Sequence, residues 1–218
     1  MKIYSYVLRN DQGFAPNPFW DYCTLALDQP LIRQVAQIGD WIVGLKENLG
    51  NSILLSLLFA MKITEKLTFE EYWDDSRFQL KKPDFSIDEQ IFRVGDNIYS
   101  SLNDDTEQLH SLHSNEFFEN DEEWLHQKKQ DLQGKFVLIA VKNSFHYFGR
   151  KTEKIPSEEL IDILYCDIGH KCIADPIVPE QFIDFIDNLR DRKKIGFIAS
   201  PEKWPKDDDS WKQCEISK

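Results

Sequence analysis

No segment of this 218-residue chain approaches the roughly 18 consecutive apolar residues that a membrane-spanning helix needs. Its longest apolar run, "ILLSLLFAM" at Ile53 to Met61, is the size of a buried strand. Basic charge is scarce as well: 26 Lys and Arg stand against 38 Asp and Glu, for a formal charge of -12. Duplex nucleic acid is held largely by Lys and Arg neutralising phosphates, so this charge argues against a protein whose main job is coating duplex DNA. The four cysteines, Cys23, Cys166, Cys172 and Cys214, are scattered, which suits free thiols in a reducing cytoplasm better than a disulfide framework. The opening "MKIYSYVLRN" has no leader-like apolar region and reads as a first strand, so a cytoplasmic protein is expected. No Walker glycine loop, G-x-G-x-x-G or G-x-S-x-G is present, so the usual phosphate-binding and serine-hydrolase parts are missing. No cofactor and no metal site is expected.

What is present is a core: 41% of residues are hydrophobic and 29% charged, a globular balance. "KIYSYVL" alternates as a strand, with Ile3, Ser5 and Val7 on one face and Tyr4, Tyr6 and Leu8 on the other. Pro30 sits well as the first residue of a helix over about 31–37. Strands are expected at 23–27, 38–45 and 53–64, with a hairpin turn at 48–52. Thr68 and Glu71 form the S/T-x-x-E signature of a helix start, and Phe69, Tyr72 and Trp73 follow at helical spacing. Residues 91–100 suggest a strand, a turn and another extended piece. Residues 94–127 hold no Lys or Arg and nine carboxylates, which predicts a long solvated loop with at most a short helix. "KFVLIAVKNSFHYFGR" (135–150) reads as a hairpin, and helices are expected at about 157–164 and 179–190. The sum is an α+β chain, with a single domain over 1–200, an acidic insert at about 101–127 and a polar tail at 201–218.

The most unusual stretch is "NDQGFAPNPFWDYCTL" (10–25), where Phe14, Phe19, Trp20 and Tyr22 crowd a segment broken by two prolines and a glycine. Aromatics on such a backbone make either a plug for one end of a fold or a platform on which a flat ligand stacks. Asn17 offers an amide suited to the edge of a base. In "GDWIVG" (39–44) Asp40, beside Trp41, could close a turn or meet a ligand. "GDNIY" (95–99) invites the same two readings for Asp96 and Asn97 beside Tyr99. His110 and His113 stand three apart, a spacing that would share a helix face. "CDIGHKC" (166–172) gathers two cysteines and His170, and reads as a buried cysteine with a polar turn rather than as zinc ligands. Acid–base candidates are Asp40, Asp96 and His113.

Taken in order, "YSYVLRNDQGFAPNPFWDYCTLA", "AQIGDWIVG", "FAMKITEKLTFEEYWDDSRF", "GDNIY", "LHS" and "FHYFG" resemble the nucleotide modification associated domain 2 family of bacteria and their phages. The resemblance runs over about residues 1–172. It implies a place in DNA-base modification or phage-conflict systems. The "GDWIVG" strand also resembles the Gly-Asp step of PUA-like domains of the ASCH and EVE type, which implies a mostly antiparallel β-barrel with peripheral helices and a cleft that accepts a base. Carried over, the matching positions are Phe14, Asn17, Trp20, Gly39, Asp40 and Trp41. Those readers usually carry a basic rim and this chain does not, so a free nucleotide, a single flipped base or a protein partner is expected rather than duplex DNA. Two alternatives stand beside base binding: an enzyme acting on a modified nucleotide, and an acidic protein-interaction module.

Overall fold

The computed structural model describes residues 1–48, 54–103, 106–113, 122–174 and 180–213. Its elements run β1 (Lys2–Val7), β2 (Tyr22–Leu25), α1 (Pro30–Val35), β3 (Trp41–Asn48), β4 (Leu54–Lys62), β5 (Glu65–Thr68) and α2 (Phe69–Asp74). They continue with α3 (Gln90–Arg93), α4 (Glu122–Gln133), β6 (Phe136–Val141), β7 (Phe145–Tyr147), β8 (Glu153–Lys154), α5 (Glu158–Leu164), β9 (Lys171–Ala174), α6 (Glu180–Asp191) and β10 (Gly196–Phe197). The chain divides into two units: Met1–Asp11, Ala36–Thr64 and Ala140–Lys203 form the first, and Gln12–Val35, Glu65–Ile139 and Trp204–Lys218 the second.

The first unit is built on one sheet, in the order β10-β7-β4-β3-β1-β9, with β8 added against β4. β1 lies parallel to β3 and β10 parallel to β7, while β3–β4, β4–β7 and β1–β9 are antiparallel. The period-two pattern of the first strand is what its packing uses. Ile3 joins the cluster made with Leu160, Leu164, Phe182 and Ile186 of α5 and α6, and the Ser5 hydroxyl donates to the Leu164 carbonyl at 2.5 Å. From the other face, Tyr6 sets its ring edge-on against Phe59. α6 buries Phe182, Phe185, Ile186 and Leu189, the stripe that its i, i+3, i+4, i+7 spacing dictates.

The second unit holds a small sheet, β2-β6-β5, with β5 and β6 antiparallel. α2 opens on a complete capping box: the Thr68 hydroxyl accepts from the Glu71 N–H and the Glu71 carboxylate accepts from the Thr68 N–H. Both of these otherwise orphaned donors are thereby satisfied. Tyr72 and Phe78 meet at 4.7 Å in its core, and Phe69 sets its ring edge-on to Tyr99.

Several expectations are corrected. The large sheet is open and mixed, and its path ends at β10 and β9, so the mostly antiparallel barrel is not what forms. The 135–150 hairpin does not form either. β6 pairs with β5 while β7 pairs with β4 and β10, because Lys142–Ser144 is a helical turn that sends the two strands to different sheets. Residues 90–93 are a short helix, not a strand. At the end of the acidic stretch the chain enters α4, whose 12 residues make a longer helix than the short one expected there. Residues 49–52 of the expected turn, residues 104–105 and 114–121 of the acidic insert, and Cys214 lie outside the described residues. Cys23, Cys166 and Cys172 are free thiols. Cys23 is buried and Cys172 exposed, so "CDIGHKC" is not organised around a buried cysteine.

Candidate functional site

The aromatic loop turns out to be regular. Asn17 and Thr24 form a two-way backbone bridge, N–H to carbonyl, at 2.8 and 2.9 Å, and the Tyr22 N–H donates to the Phe19 carbonyl. Trp20 and Asp21, at the tip, both have positive φ, at 58° and 64°. Two successive left-handed residues are the signature of a tight hairpin turn, which Asn and Gly usually supply. Holding a tryptophan there stores strain, and strain of this kind gathers at functional positions. Phe19 is buried and stacks on Trp204 at 5.2 Å, so it serves as the plug. Trp20 is half-buried and tilted against Phe92, and Phe14 is also half-buried.

Asn17 is fully used inside the second unit. Its amide donates to the Val94 carbonyl at 2.8 Å, and its side-chain oxygen accepts from the Lys81 ammonium at 2.6 Å. Lys81 is completely buried and also donates to the backbone carbonyls of Asn17 and Tyr22. Asp96, equally buried, accepts from the Thr24 hydroxyl at 2.6 Å and the Tyr72 hydroxyl at 2.7 Å. Burial raises the Asp96 carboxyl above its ordinary range, opposed by the Lys81 charge and those two hydroxyls. Burial, with the Asp96 charge, pushes the Tyr72 phenol upward. Asn97 donates to the Tyr72 and Phe78 carbonyls, and its side-chain oxygen has no partner among the described residues. These groups hold the loop; a base edge would have to displace them.

A different cluster of the same unit has the look of a site. The His113 Nε2 lies 3.0 Å from Asp131 Oδ2 and 2.7 Å from Gln127 Nε2. The Tyr99 hydroxyl donates to Asp131 Oδ2 at 3.1 Å, and the Asp28 N–H donates to Asp131 Oδ1 at 2.9 Å. Phe14 sets its ring edge-on to His113, with centroids 4.9 Å apart. Asp28 opens the turn into α1 with φ of 55°. Asp28, His113 and Asp131 each present an oxygen or nitrogen within 4.8 Å of the other two.

Arg33 supplies the positive charge. From the end of α1 its guanidinium donates to the backbone carbonyls of Asp28, Asp131 and Phe136 at 2.7, 2.6 and 3.0 Å. Gly134 makes room for it, since a Cβ there would fall 2.1 Å from the Arg33 Cζ. Burial lowers the Arg33 pKa to about 10 against the opposing pull of Asp131 and Asp28. Burial raises the Asp28 carboxyl; His113 opposes that rise, Asp131 adds to it, and Arg33 and the Gln127 hydrogen bond oppose it. For His113 burial alone would depress the imidazole, but the hydrogen bond and charge of Asp131, with the charge of Asp28, carry it above its ordinary value despite Arg33. Burial, the Asp131 charge and the Asp131 hydrogen bond raise the Tyr99 phenol.

Of the residues singled out in the sequence, Phe14, Tyr99 and His113 are therefore brought together. His110 is not with His113: residues 110–113 are not helical, and the His110 ring stacks on Phe85 at 4.3 Å. Asp40 and Trp41 belong to the first unit. Both Asp40 oxygens accept backbone N–H groups, from Lys2 at 2.7 Å and Gln37 at 3.0 Å, which is turn closure. Trp41 is buried with its ring edge-on to Phe182. Sequence reading missed Asp28, Arg33, Gln127 and Asp131. The Asp28-Gln29-Pro30 step carried a signal, because an Asp just ahead of a Pro-started helix is a terminus residue. Asp131 carried none, as its bond to Asp28 spans 103 residues.

Compared with known families, the chain matches the model of nucleotide modification associated domain 2 over residues 1–208, a longer span than the motifs alone suggested. No curated protein and no solved structure matches. The chain belongs to the nucleotide modification associated domain 2 family.

Proposed function

We propose that this protein binds a nucleotide, or a single base turned out of a strand, as part of a DNA-base modification or phage-conflict system, and that the His113 cluster is where it binds. The observation that carries this reading is the Phe14–His113 contact at 4.9 Å. It sets a half-buried aromatic ring from the Pro-rich loop beside a polar group held by Asp131 and Gln127. A ring face for stacking next to fixed hydrogen-bonding groups is what recognition of a flat heterocycle requires. Trp20, half-buried against Phe92 and held at a left-handed turn, is the second aromatic of this loop that we assign to base contact. Family membership supports a role among nucleotide-modifying systems. The net charge of -12 favours a mononucleotide or one flipped base over duplex DNA.

The test is a titration of the full chain with nucleoside monophosphates and short single strands carrying normal and hypermodified bases. Stacking contributes about 1–3 kcal/mol per base by alanine substitution, so Phe14→Ala and Trp20→Ala should weaken binding several-fold or more. Unchanged affinity in both variants would remove the site. The same panel, analysed for new products, separates a binding protein from an enzyme.

A further inference from the structure

The His113 cluster contains a conflict that hydrogen bonds alone do not resolve while both carboxylates are ionised. Gln127 Nε2 lies 2.7 Å from His113 Nε2, and the Gln127 side chain also bonds Asp28. If His113 carries hydrogen on Nε2, that hydrogen meets Asp131 well but collides with the Gln127 amide hydrogens. If Nε2 is bare, it accepts from Gln127 but turns its lone pair on Asp131 Oδ2 at 3.0 Å. Flipping the amide only moves the repulsion to Asp28, where an oxygen would then face a carboxylate. A cation among the Asp28 oxygen, the Asp131 oxygen and a bare Nε2 removes the repulsion between the lone pair and Asp131; since Nε2 has one lone pair, Gln127 then gives up its contact there and keeps its bond to Asp28.

Charge points the same way. With a neutral imidazole, Asp28 and Asp131 outweigh Arg33 by one negative charge, and the Arg33 donors are directed at backbone carbonyls. One imidazole nitrogen with two carboxylate oxygens is a donor set for borderline divalent metals rather than for calcium or magnesium, which prefer all-oxygen sites. The separation of 3.0 Å between Nε2 and Oδ2 also suits adjacent ligands of one octahedral ion such as manganese, since bonds of about 2.1 Å at right angles place their ends about 3 Å apart.

We propose that Asp28, His113 and Asp131 form a site for one divalent transition-metal ion, of the manganese or zinc class, and that the loaded site receives the phosphate of the bound nucleotide. This runs against the sequence-based expectation of no metal. It also accounts for how an acidic chain would hold an anionic ligand, because the loaded cluster carries one positive charge in excess. The phosphate half rests on the nucleotide reading above; the metal half does not.

The experiment uses the full chain stripped with a chelator and titrated with manganese(II), followed by electron paramagnetic resonance, with zinc(II) and magnesium(II) as competitors. One tight manganese site is expected, displaced by zinc and not by equimolar magnesium. His113→Ala and Asp28→Asn, checked for folding by thermal melting, should each weaken it by more than the 10- to 100-fold typical of outer-sphere losses, which is about the floor for losing a direct ligand. Absence of a manganese site in the wild type, or a site that survives both substitutions, overturns the proposal. Adding a nucleoside monophosphate to the loaded protein should change the manganese spectrum and broaden the phosphorus resonance. A metal site with no such change overturns the phosphate half. Nucleotide binding that is normal without metal overturns the same half and leaves the nucleotide reading standing.

Discussion

Phe14 and His113 stand edge to ring, their centroids 4.9 Å apart and their planes inclined by 72°. One comes from the Pro-rich loop and the other from within the acidic stretch, so their meeting joins two sequence features that nothing local connects. An imidazole whose other neighbours are Asp131 and Gln127 is fixed in orientation, and its aromatic neighbour narrows the approach of any ligand.

Tyr99→Phe removes one hydroxyl from the buried Asp131 carboxylate and leaves the ring packing on Phe69 intact. Hydrogen bonds to charged groups contribute about 1.5–3 kcal/mol. Chemical denaturation should show a loss in that range without a change in the denaturant slope; a neutral result would mean that the hydroxyl does not serve Asp131.

Lys81→Met takes away the charge that faces Asn17 and offsets Asp96. Breaking a buried pair by removing one partner costs about 3–5 kcal/mol. The same network makes Asn17→Ala a folding variant rather than a clean binding variant. Its melting temperature should fall together with any ligand affinity, and a stable Asn17→Ala protein would contradict the network.

Gly134→Ala would place a methyl group on the Arg33 guanidinium, at 2.1 Å from Cζ. Overpacking of this kind costs about 1–3 kcal/mol. The accompanying loss of Arg33 from the cluster should be visible as weakened nucleotide binding in the surviving folded protein. Gly39→Ala, where nothing lies within 4 Å but φ is +94°, should lower stability and leave binding unchanged.

His146 sets a pH limit on the first unit. Its ring is buried, Nδ1 meets the Lys194 carbonyl, and Nε2 has no partner among the described residues. Burial lowers its pKa below the ordinary 6.5; the Lys194 carbonyl opposes this and Arg190 adds to it. Because the folded value is the lower one, the stabilisation is complete above about pH 6.5 and is lost as pH falls through the folded value. Denaturation of the wild type between about pH 7 and pH 5 should therefore show a steeper decline than His146→Gln; parallel curves would exclude His146 as the source.

The sequence was legible where a pattern is local. The capping box at Thr68 and Glu71, the Pro30 helix start and the Phe182–Leu189 stripe each lie within one or two turns, and each formed. It was misleading where pairing is a long-range choice. β6 and β7 are adjacent and apolar, which reads as a hairpin, yet the helical turn between them diverts each to a different partner. The aromatic loop hid a hairpin because Trp20 and Asp21 occupy turn positions normally taken by Asn or Gly. The polar cluster was half visible. Phe14, Tyr99 and His113 could be singled out by residue type, whereas Asp28 and Asp131 looked like two more carboxylates in an acidic chain until folding placed them together.

The most direct measurement of the central claim is the affinity of the full chain for a nucleoside monophosphate panel, compared with that of Phe14→Ala and His113→Ala at matched folding stability. The account predicts saturable binding of at least one member, weakened by about 1–3 kcal/mol in Phe14→Ala and further in His113→Ala. Binding that both variants retain in full, or no binding of any nucleotide by the wild type, would contradict it.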